Sequence, residues 1–457
     1  MVAGPRRTVD AGGGATASTA LLTDQYELTM VDAALRSGIA GHRAVFEIFA
    51  RRLPPGRRYG VVAGLGRLVE AIQAFRFGEE ELRFLEGLGL FSGELLAWAA
   101  GYRFGGSIDG YREGELFFAE SPVLTVESTF AEAIVLETLA LSVLNFDSAV
   151  ASAAARMDVA AGPRTLVEMG GRRANEHAAV AAARAAYLSG FDASSNLEAR
   201  RSWGVPSLGT ASHAFTLGHP DETAAFRAQA AVLGPGSTFL VDTFDVAEGI
   251  RRAVEVAGAD RLGAVRIDSG DLVEEIPLAR AILDDLGATR TKIVATGDLD
   301  EHRISALAAL PVDAFGVGTS LVTGSGAPTA EFIYKLVAVA DRPGDHVPLR
   351  PVAKRSPGKS STGGRKVAWR ILDELGFAQR EQLQPWPDGG QPELSPGLRA
   401  RALQVAVMRS GEVVHQPSLD AVRTHHLAAR AELRPQHLAV DPGPPALTPI
   451  STGGETR

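Results

Sequence analysis

The chain has 457 residues, enough to bury a large core in two domains. Its 46 Lys and Arg against 54 Asp and Glu give a net charge of -8, which argues against general nucleic-acid binding. The absence of cysteine excludes disulfides, thiolate nucleophiles and Cys-based zinc sites, and fits a reducing compartment.

Residues 1–19, rich in Gly, Ala and Thr, predict a disordered leader. Arg6-Arg7 lacks the apolar stretch of a twin-arginine export signal, and a cytoplasmic protein is expected. From 20 to 130, helices mix with strand-like pieces at Ala44–Ala50 and Leu116–Val126. Ala131–Phe146 is apolar but carries Glu132 and Glu137, so it reads as a core helix; a membrane span needs ~18 uninterrupted apolar residues.

Between about 164 and 340 one theme repeats: a short apolar run, a polar or glycine-bearing turn, then a helix. The runs end at Glu168-Met169-Gly170-Gly171, Phe191-Asp192, Leu208-Gly209-Thr210, Val241-Asp242-Thr243, Ile267-Asp268-Ser269-Gly270, Ala295-Thr296-Gly297-Asp298 and Phe315-Gly316-Val317-Gly318-Thr319. Helices are expected over Glu176–Leu188, Glu222–Leu233, Val246–Val256, Glu274–Leu286 and Glu301–Leu310. Such alternation means parallel β/α units. A barrel is preferred to a doubly wound sheet because polar groups close nearly every strand, where a barrel gathers its active site. Beyond 350 come a basic Gly/Ser segment with Lys354, Lys359 and Lys366, a strand-like Val367–Ile371, and a Pro-rich, flexible tail from Pro435. The domain scheme is a leader (1–19), a sandwich-like domain (20–130 plus 350–434), an α/β barrel (131–349) and a tail (435–457).

Arg266 and Asp268 alternate with Ile267, so both point the same way at a strand end. The pair suits an anionic, metal-bound substrate, or simply a salt bridge closing the strand. Gly316-Val317-Gly318-Thr319-Ser320 suits a phosphate, with glycines admitting backbone amides and two hydroxyls beside them, although a structural turn has the same pattern. Ser356-Pro357-Gly358-Lys359-Ser360 lacks the upstream glycine of a Walker A loop and reads as a basic loop. Arg172 and Arg173 follow a strand end, one an anion anchor and the other structural. His213 lies in a loop of small residues at the expected rim, suited to nucleophilic or acid/base work. Asp242, Asp268, Asp271 and Asp298 form a candidate Mg2+ set, with Asp298 and Asp245 as candidate helix N-caps.

Taken in order, Leu22 through Met30, Phe46 through Phe49, Glu168 through Arg173, Gly209 through His213, Arg266 through Asp271, Gly297-Asp298 and Phe315 through Thr319 resemble the nicotinate phosphoribosyltransferases, over residues 20 to 370. The resemblance implies an α/β fold: a (β/α) barrel of the quinolinate/nicotinate phosphoribosyltransferase type plus an α+β sandwich domain built from both ends of the chain. It implies attack of the nicotinate ring nitrogen on phosphoribosyl pyrophosphate, giving nicotinate mononucleotide and pyrophosphate for NAD salvage. Mg2+ is implied as cofactor and ATP as co-substrate, hydrolysed through a phosphohistidine at His213 in the manner of a ligase. By the same resemblance Arg172 and Arg266 bind the pyridine carboxylate or phosphates, and Asp242 and Asp268 bind ribose hydroxyls and Mg-pyrophosphate. Gly297, Asp298, Gly318 and Thr319 cradle the 5-phosphate. Asp24 and Tyr26 enter a neighbouring subunit's site, Tyr26 stacking on the pyridine, which implies a homodimer. Met169 departs from the aromatic residue common at its position. Asp192 lies near the position where the nicotinamide enzymes recognise an amide. The alternatives are a nicotinamide or quinolinate phosphoribosyltransferase and a non-catalytic ligand-binding relative. An aldolase is disfavoured because no strand offers a Schiff-base lysine.

Overall fold

A computed structural model describes residues 17–354, 362–387 and 390–451. The repeated theme builds a six-stranded parallel sheet, in the order Ala193–Ser194, Thr165–Glu168, Ala314–Val317, Lys292–Ala295, Ala264–Ile267, Thr238–Leu240. Its strands are short and apolar because helices cover the sheet: Leu166, Val265, Ile267, Ile293 and Phe315 are fully buried. Asn175, Asp221, Asp245, Asp271 and Asp300 begin helices, each side chain accepting a backbone N–H of the first turn. The cap after Lys292–Ala295 is therefore Asp300, and Asp298 is left at the strand-end loop. The helix expected over Glu301–Leu310 ends at Leu307, and the one expected from Glu274 starts at Leu272.

The expected closed barrel is an open half-barrel. Between Ser194 and the strand Thr238–Leu240, Ser207 makes one parallel bridge to Ser194, and Leu208-Gly209-Thr210 forms no strand. Leu208 is half-exposed, so no apolar burial holds this run in the sheet.

The second unit is antiparallel. A seven-stranded sheet runs Leu349–Pro351, Phe332–Ala340, Arg43–Ala50, Leu124–Thr129, Ser107–Tyr111, Gln404–Arg409, Glu412–Val413, so both ends of the chain supply strands. Phe332–Ala340 pairs along the whole of Ala44–Ala50, which moves the expected domain boundary from 349 to before Phe332. The expected strand Leu116–Val126 is split into Leu116–Phe117 and Leu124–Thr129. At the break Glu120 has φ +67° and Pro122 has no amide hydrogen to give a ladder. A four-stranded sheet, Arg399–Ala402, Lys366–Leu372, Ala378–Pro385, Pro449–Ser451, meets the larger one through side chains: Lys366 pairs with Glu47, and Tyr111 donates to Glu381.

The expected flexible tail is ordered as far as Ser451. Pro449–Ser451 joins a sheet, Leu447 is buried, and Ala446 N–H donates to the Arg58 carbonyl. Residues 17–19 of the expected leader are also docked, Thr19 Oγ1 donating to the Ala71 carbonyl at 2.7 Å. The rest of that leader, the end of the tail and the basic loop with Lys359 lie outside the described residues. Phe130–Ala161 is long and apolar enough to cross a membrane by composition, yet most of it is buried within the protein. It lies between the two units: Ser148 and Ser152 accept the Ala63 and Val61 amides, and Arg156 reaches the parallel unit at Glu301.

Candidate active site

The C-terminal ends of the parallel strands open onto one cleft of about 240 Å³, lined by Met169, Arg172, Arg173, Arg266, Asp268, Thr296, Gly297, Asp298, Gly316, Gly318 and Thr319. Strand alternation puts Arg266 and Asp268 on one face, and they pair at 2.9 Å. Both readings of that pair therefore hold: it closes the strand, and it does so inside the cleft. Arg266 also donates through Nε to Thr296 Oγ1 at 2.9 Å and through Nη1 to Thr210 Oγ1 at 3.1 Å. Thr296 donates in turn to Asp268 Oδ1. Burial pushes the Asp268 carboxyl up, but Thr296 and Arg266 outweigh it and hold the group below the usual range. Asp268 is thus ionised, with Oδ1 engaged.

His213 begins a short helix, and its Nε2 lies 3.0 Å from Asp242 Oδ1. A carboxylate only accepts, so Nε2 carries the hydrogen and a neutral ring keeps the lone pair on Nδ1. Asp242 Oδ2 accepts from the Asp268 amide at 2.9 Å and from Ser269 Oγ at 2.6 Å. Expected to bind ribose hydroxyls and Mg2+, Asp242 has both oxygens occupied and does not line the cleft. Here it orients His213 and anchors the loop that carries Asp268.

Across the cleft, the Arg172 and Arg173 side chains are exposed and form no ion pair among the described residues. The loop before them is held from beneath by Glu168, which is fully buried and accepts from the Gly170 amide and Ser194 Oγ. Burial pushes the Glu168 carboxyl up. Met169 packs over Gly316, where an added Cβ would stand 2.7 Å from its sulfur and 2.6 Å from Thr296 Cγ2, so only glycine fits that floor.

Two expectations fall elsewhere. Asp192 turns away, its Oδ2 accepting the Leu166 amide at 3.1 Å and its Oδ1 facing Arg423. Asp24, just before the helix Gln25–Ser37, and Tyr26 in its first turn are exposed and do not line the cleft of their own chain. Burial, then Glu137 and Glu27, push the Tyr26 hydroxyl up to about 12. Lys366 is a structural partner of Glu47, at 2.6 Å. Thr296, Thr210, Ser269 and Glu168 received no role from the sequence. The signal that could have found them is their place at strand ends: each stands in a run that closes with a polar or glycine-bearing turn.

Among the described residues no group of three or more His, Asp or Glu side chains forms a metal cage. Mg2+ takes few protein carboxylates when it arrives with phosphates. Asp268 and Asp298, both lining the cleft, fit that mode; Asp242 does not.

Comparisons with known proteins place the chain in a family. Residues 21–145 match the model of the nicotinate phosphoribosyltransferase (NAPRTase) N-terminal domain. Nicotinate phosphoribosyltransferase pncB1 of Mycobacterium tuberculosis is 53% identical over 435 residues, covering 93% of this chain and 94% of the relative. The chain belongs to the nicotinate phosphoribosyltransferase family. The Bacillus subtilis nicotinate phosphoribosyltransferase is 37% identical, covering 78% of this chain and 74% of its own. The crystal structure of human nicotinic acid phosphoribosyltransferase superposes with a TM-score of 0.79 at 26% identity, covering 94% of this chain and 97% of that one.

Proposed function

We propose that the protein transfers the phosphoribosyl group of phosphoribosyl pyrophosphate to the ring nitrogen of nicotinate. The products are nicotinate mononucleotide and pyrophosphate, a step of NAD salvage. The observation that carries this reading is the cleft with two unpaired arginines on one wall and the Arg266–Asp268 pair on the other. A pyridine nitrogen is a weak nucleophile, so the rate must come from positioning and from stabilising charge as the sugar becomes cationic and pyrophosphate leaves. Arg172 and Arg173 meet the carboxylate or phosphate oxygens, where guanidinium forks are strongest. Asp268, ionised, faces the ribose and its developing positive charge. Gly297, Asp298, Gly318 and Thr319 surround the 5-phosphate. Mg2+, held by Asp268 and Asp298 with the pyrophosphate, supplies neutralising charge when bound.

The ATP dependence belongs to the same reading, and with it the ligase class. The free Nδ1 of His213 attacks the γ-phosphorus of ATP; an N–P bond forms, the P–O bond to ADP breaks, and later hydrolysis returns inorganic phosphate. Asp242 stabilises the ring's positive charge. Asp24 and Tyr26, exposed and away from the cleft of their own chain, complete the site of a second copy in a homodimer.

Product analysis with phosphoribosyl pyrophosphate, Mg2+ and ATP, offering nicotinate, nicotinamide or quinolinate in parallel, tests the reading. Nicotinate is expected to be converted far better than the others; equal turnover of nicotinamide would sink the acid assignment. His213→Asn should abolish ATP hydrolysis and the acid-labile phosphoprotein while leaving slow, ATP-independent product. A labile phosphate still present on that variant would assign the phosphoryl acceptor elsewhere.

A further inference from the structure

Outside the cleft, with none of its members among the lining residues, sits a buried cluster of two arginines and one carboxylate. Glu301 Oε1 accepts from Arg57 Nη1 at 2.9 Å and from Arg156 Nε at 3.0 Å, and all three side chains are at most 7% exposed. Burial pushes the Glu301 carboxyl up, but the Ser325 hydroxyl and the arginines hold it below its usual range, so it is ionised. One further nitrogen of each arginine is placed on main chain: Arg57 Nη2 on the Gly324 and Ser325 carbonyls at 2.8 and 2.9 Å, Arg156 Nη2 on the Val440 carbonyl at 2.5 Å.

The other oxygen of Glu301 accepts from Ser325 Oγ. Ser325 is the centre of a turn in which Gly324, Ser325 and Gly326 have φ of +68°, +50° and +82°. A side chain at positive φ costs about 1–3 kcal/mol and persists only where neighbours hold it. What holds it is this cluster, together with the Ser325 amide on the Ser320 carbonyl at 2.6 Å. The turn therefore fixes the segment that begins at Gly318 and Thr319. Glu301 is also the first residue of the helix that follows Gly297 and Asp298, whose loop is closed by the Leu299 amide on the Gly297 carbonyl. A single carboxylate thus ties together the two loops that line one end of the cleft.

We propose that Glu301, clamped by Arg57 and Arg156, is a positioning residue that sets the spacing of the Gly297–Asp298 and Gly318–Thr319 loops. It thereby governs affinity for the phosphorylated sugar and leaves the pyridine end untouched. The inference rests on the phosphoribosyl pyrophosphate reading above. A cluster that only stabilised the fold would move Tm and affect both substrates alike, because nothing would tie its loss to one end of the cleft.

The test is Glu301→Gln together with Ser325→Gly. The second removes the hydroxyl link but lets glycine adopt the positive φ, so its Tm should stay near that of the parent. Glu301→Gln should raise the Kd and KM for Mg–phosphoribosyl pyrophosphate about tenfold, and Ser325→Gly about threefold, since small displacements of binding groups carry large rate penalties. The KM for nicotinate at saturating phosphoribosyl pyrophosphate should be unchanged in both. A folded Ser325→Gly enzyme with parental Kd for phosphoribosyl pyrophosphate, or a parallel rise in both KM values, overturns the proposal. Failure of the parent itself to bind phosphoribosyl pyrophosphate would instead refute the function on which it rests.

Discussion

Arginine is used in opposite ways in the two units. In the sandwich, Arg370 is fully buried and donates to Glu381 and the Leu116 carbonyl at 3.1 and 2.9 Å. Beside it Glu115 accepts from Arg401 and His425, and these partners hold it below its usual range although burial pushes the other way. In the cleft, Arg172 and Arg173 are exposed at a strand-end loop, and among the described residues no carboxylate pairs with them. The difference teaches how to tell a structural charge from a working one. A buried cation must have its counter-charge within the protein, because leaving it unpaired costs several kcal/mol; a cation that binds ligand must keep its donors free until the ligand arrives.

The sharpest way to break the comparison is Arg370→Met. It leaves buried Glu381 with only the Tyr111 and Ser121 hydroxyls and no cation, while Glu115 keeps Arg401 and His425, and a loss of about 3–5 kcal/mol of stability is expected in denaturant titration. The folded fraction should keep parental kcat/KM; a large catalytic loss at unchanged stability would move Arg370 into the working class. Asp268→Ala should do the reverse, costing about 2–4 kcal/mol in kcat/KM with little change in Tm. Arg266→Ala should cost a similar amount, and less than additively in the double variant because the two share Thr296. Unfolding of both single variants would make the pair merely a strand closure.

The smallest signal asks whether the helix bearing Tyr26 works with the cleft of another copy. Tyr26→Ala and Asp268→Ala proteins, each inactive, are mixed under subunit exchange. About a quarter of parental activity should return, since half of randomly formed dimers are mixed and each holds one intact site. No recovery, with exchange confirmed by mass, would place Tyr26 outside the site.

The repeating β/α units and the paired face of Arg266 and Asp268 were legible in the sequence, because strand alternation and turn residues act within a few positions of the chain. Helix bounds over Glu176–Leu188 and Glu222–Leu233 were legible for the same reason: capping Asn175 and Asp221 stand directly before them. Whether the parallel sheet closes was not, since that depends on the burial of Leu208, which only packing determines. The ordered segment to Ser451 was equally hidden, because its proline-rich composition says nothing of the carbonyls and sheet edge that receive it. Asp242 was legible as a strand-end carboxylate, but its partners His213, Ser269 and the Asp268 amide were visible only in the fold. Glu301 gave no signal beyond a helix start, although Arg57 and Arg156 converge on it from 244 and 145 positions away. Local sequence determined which groups could do the chemistry. Only the tertiary structure, by bringing distant charges into contact and excluding water, decided which of them are left free to do it.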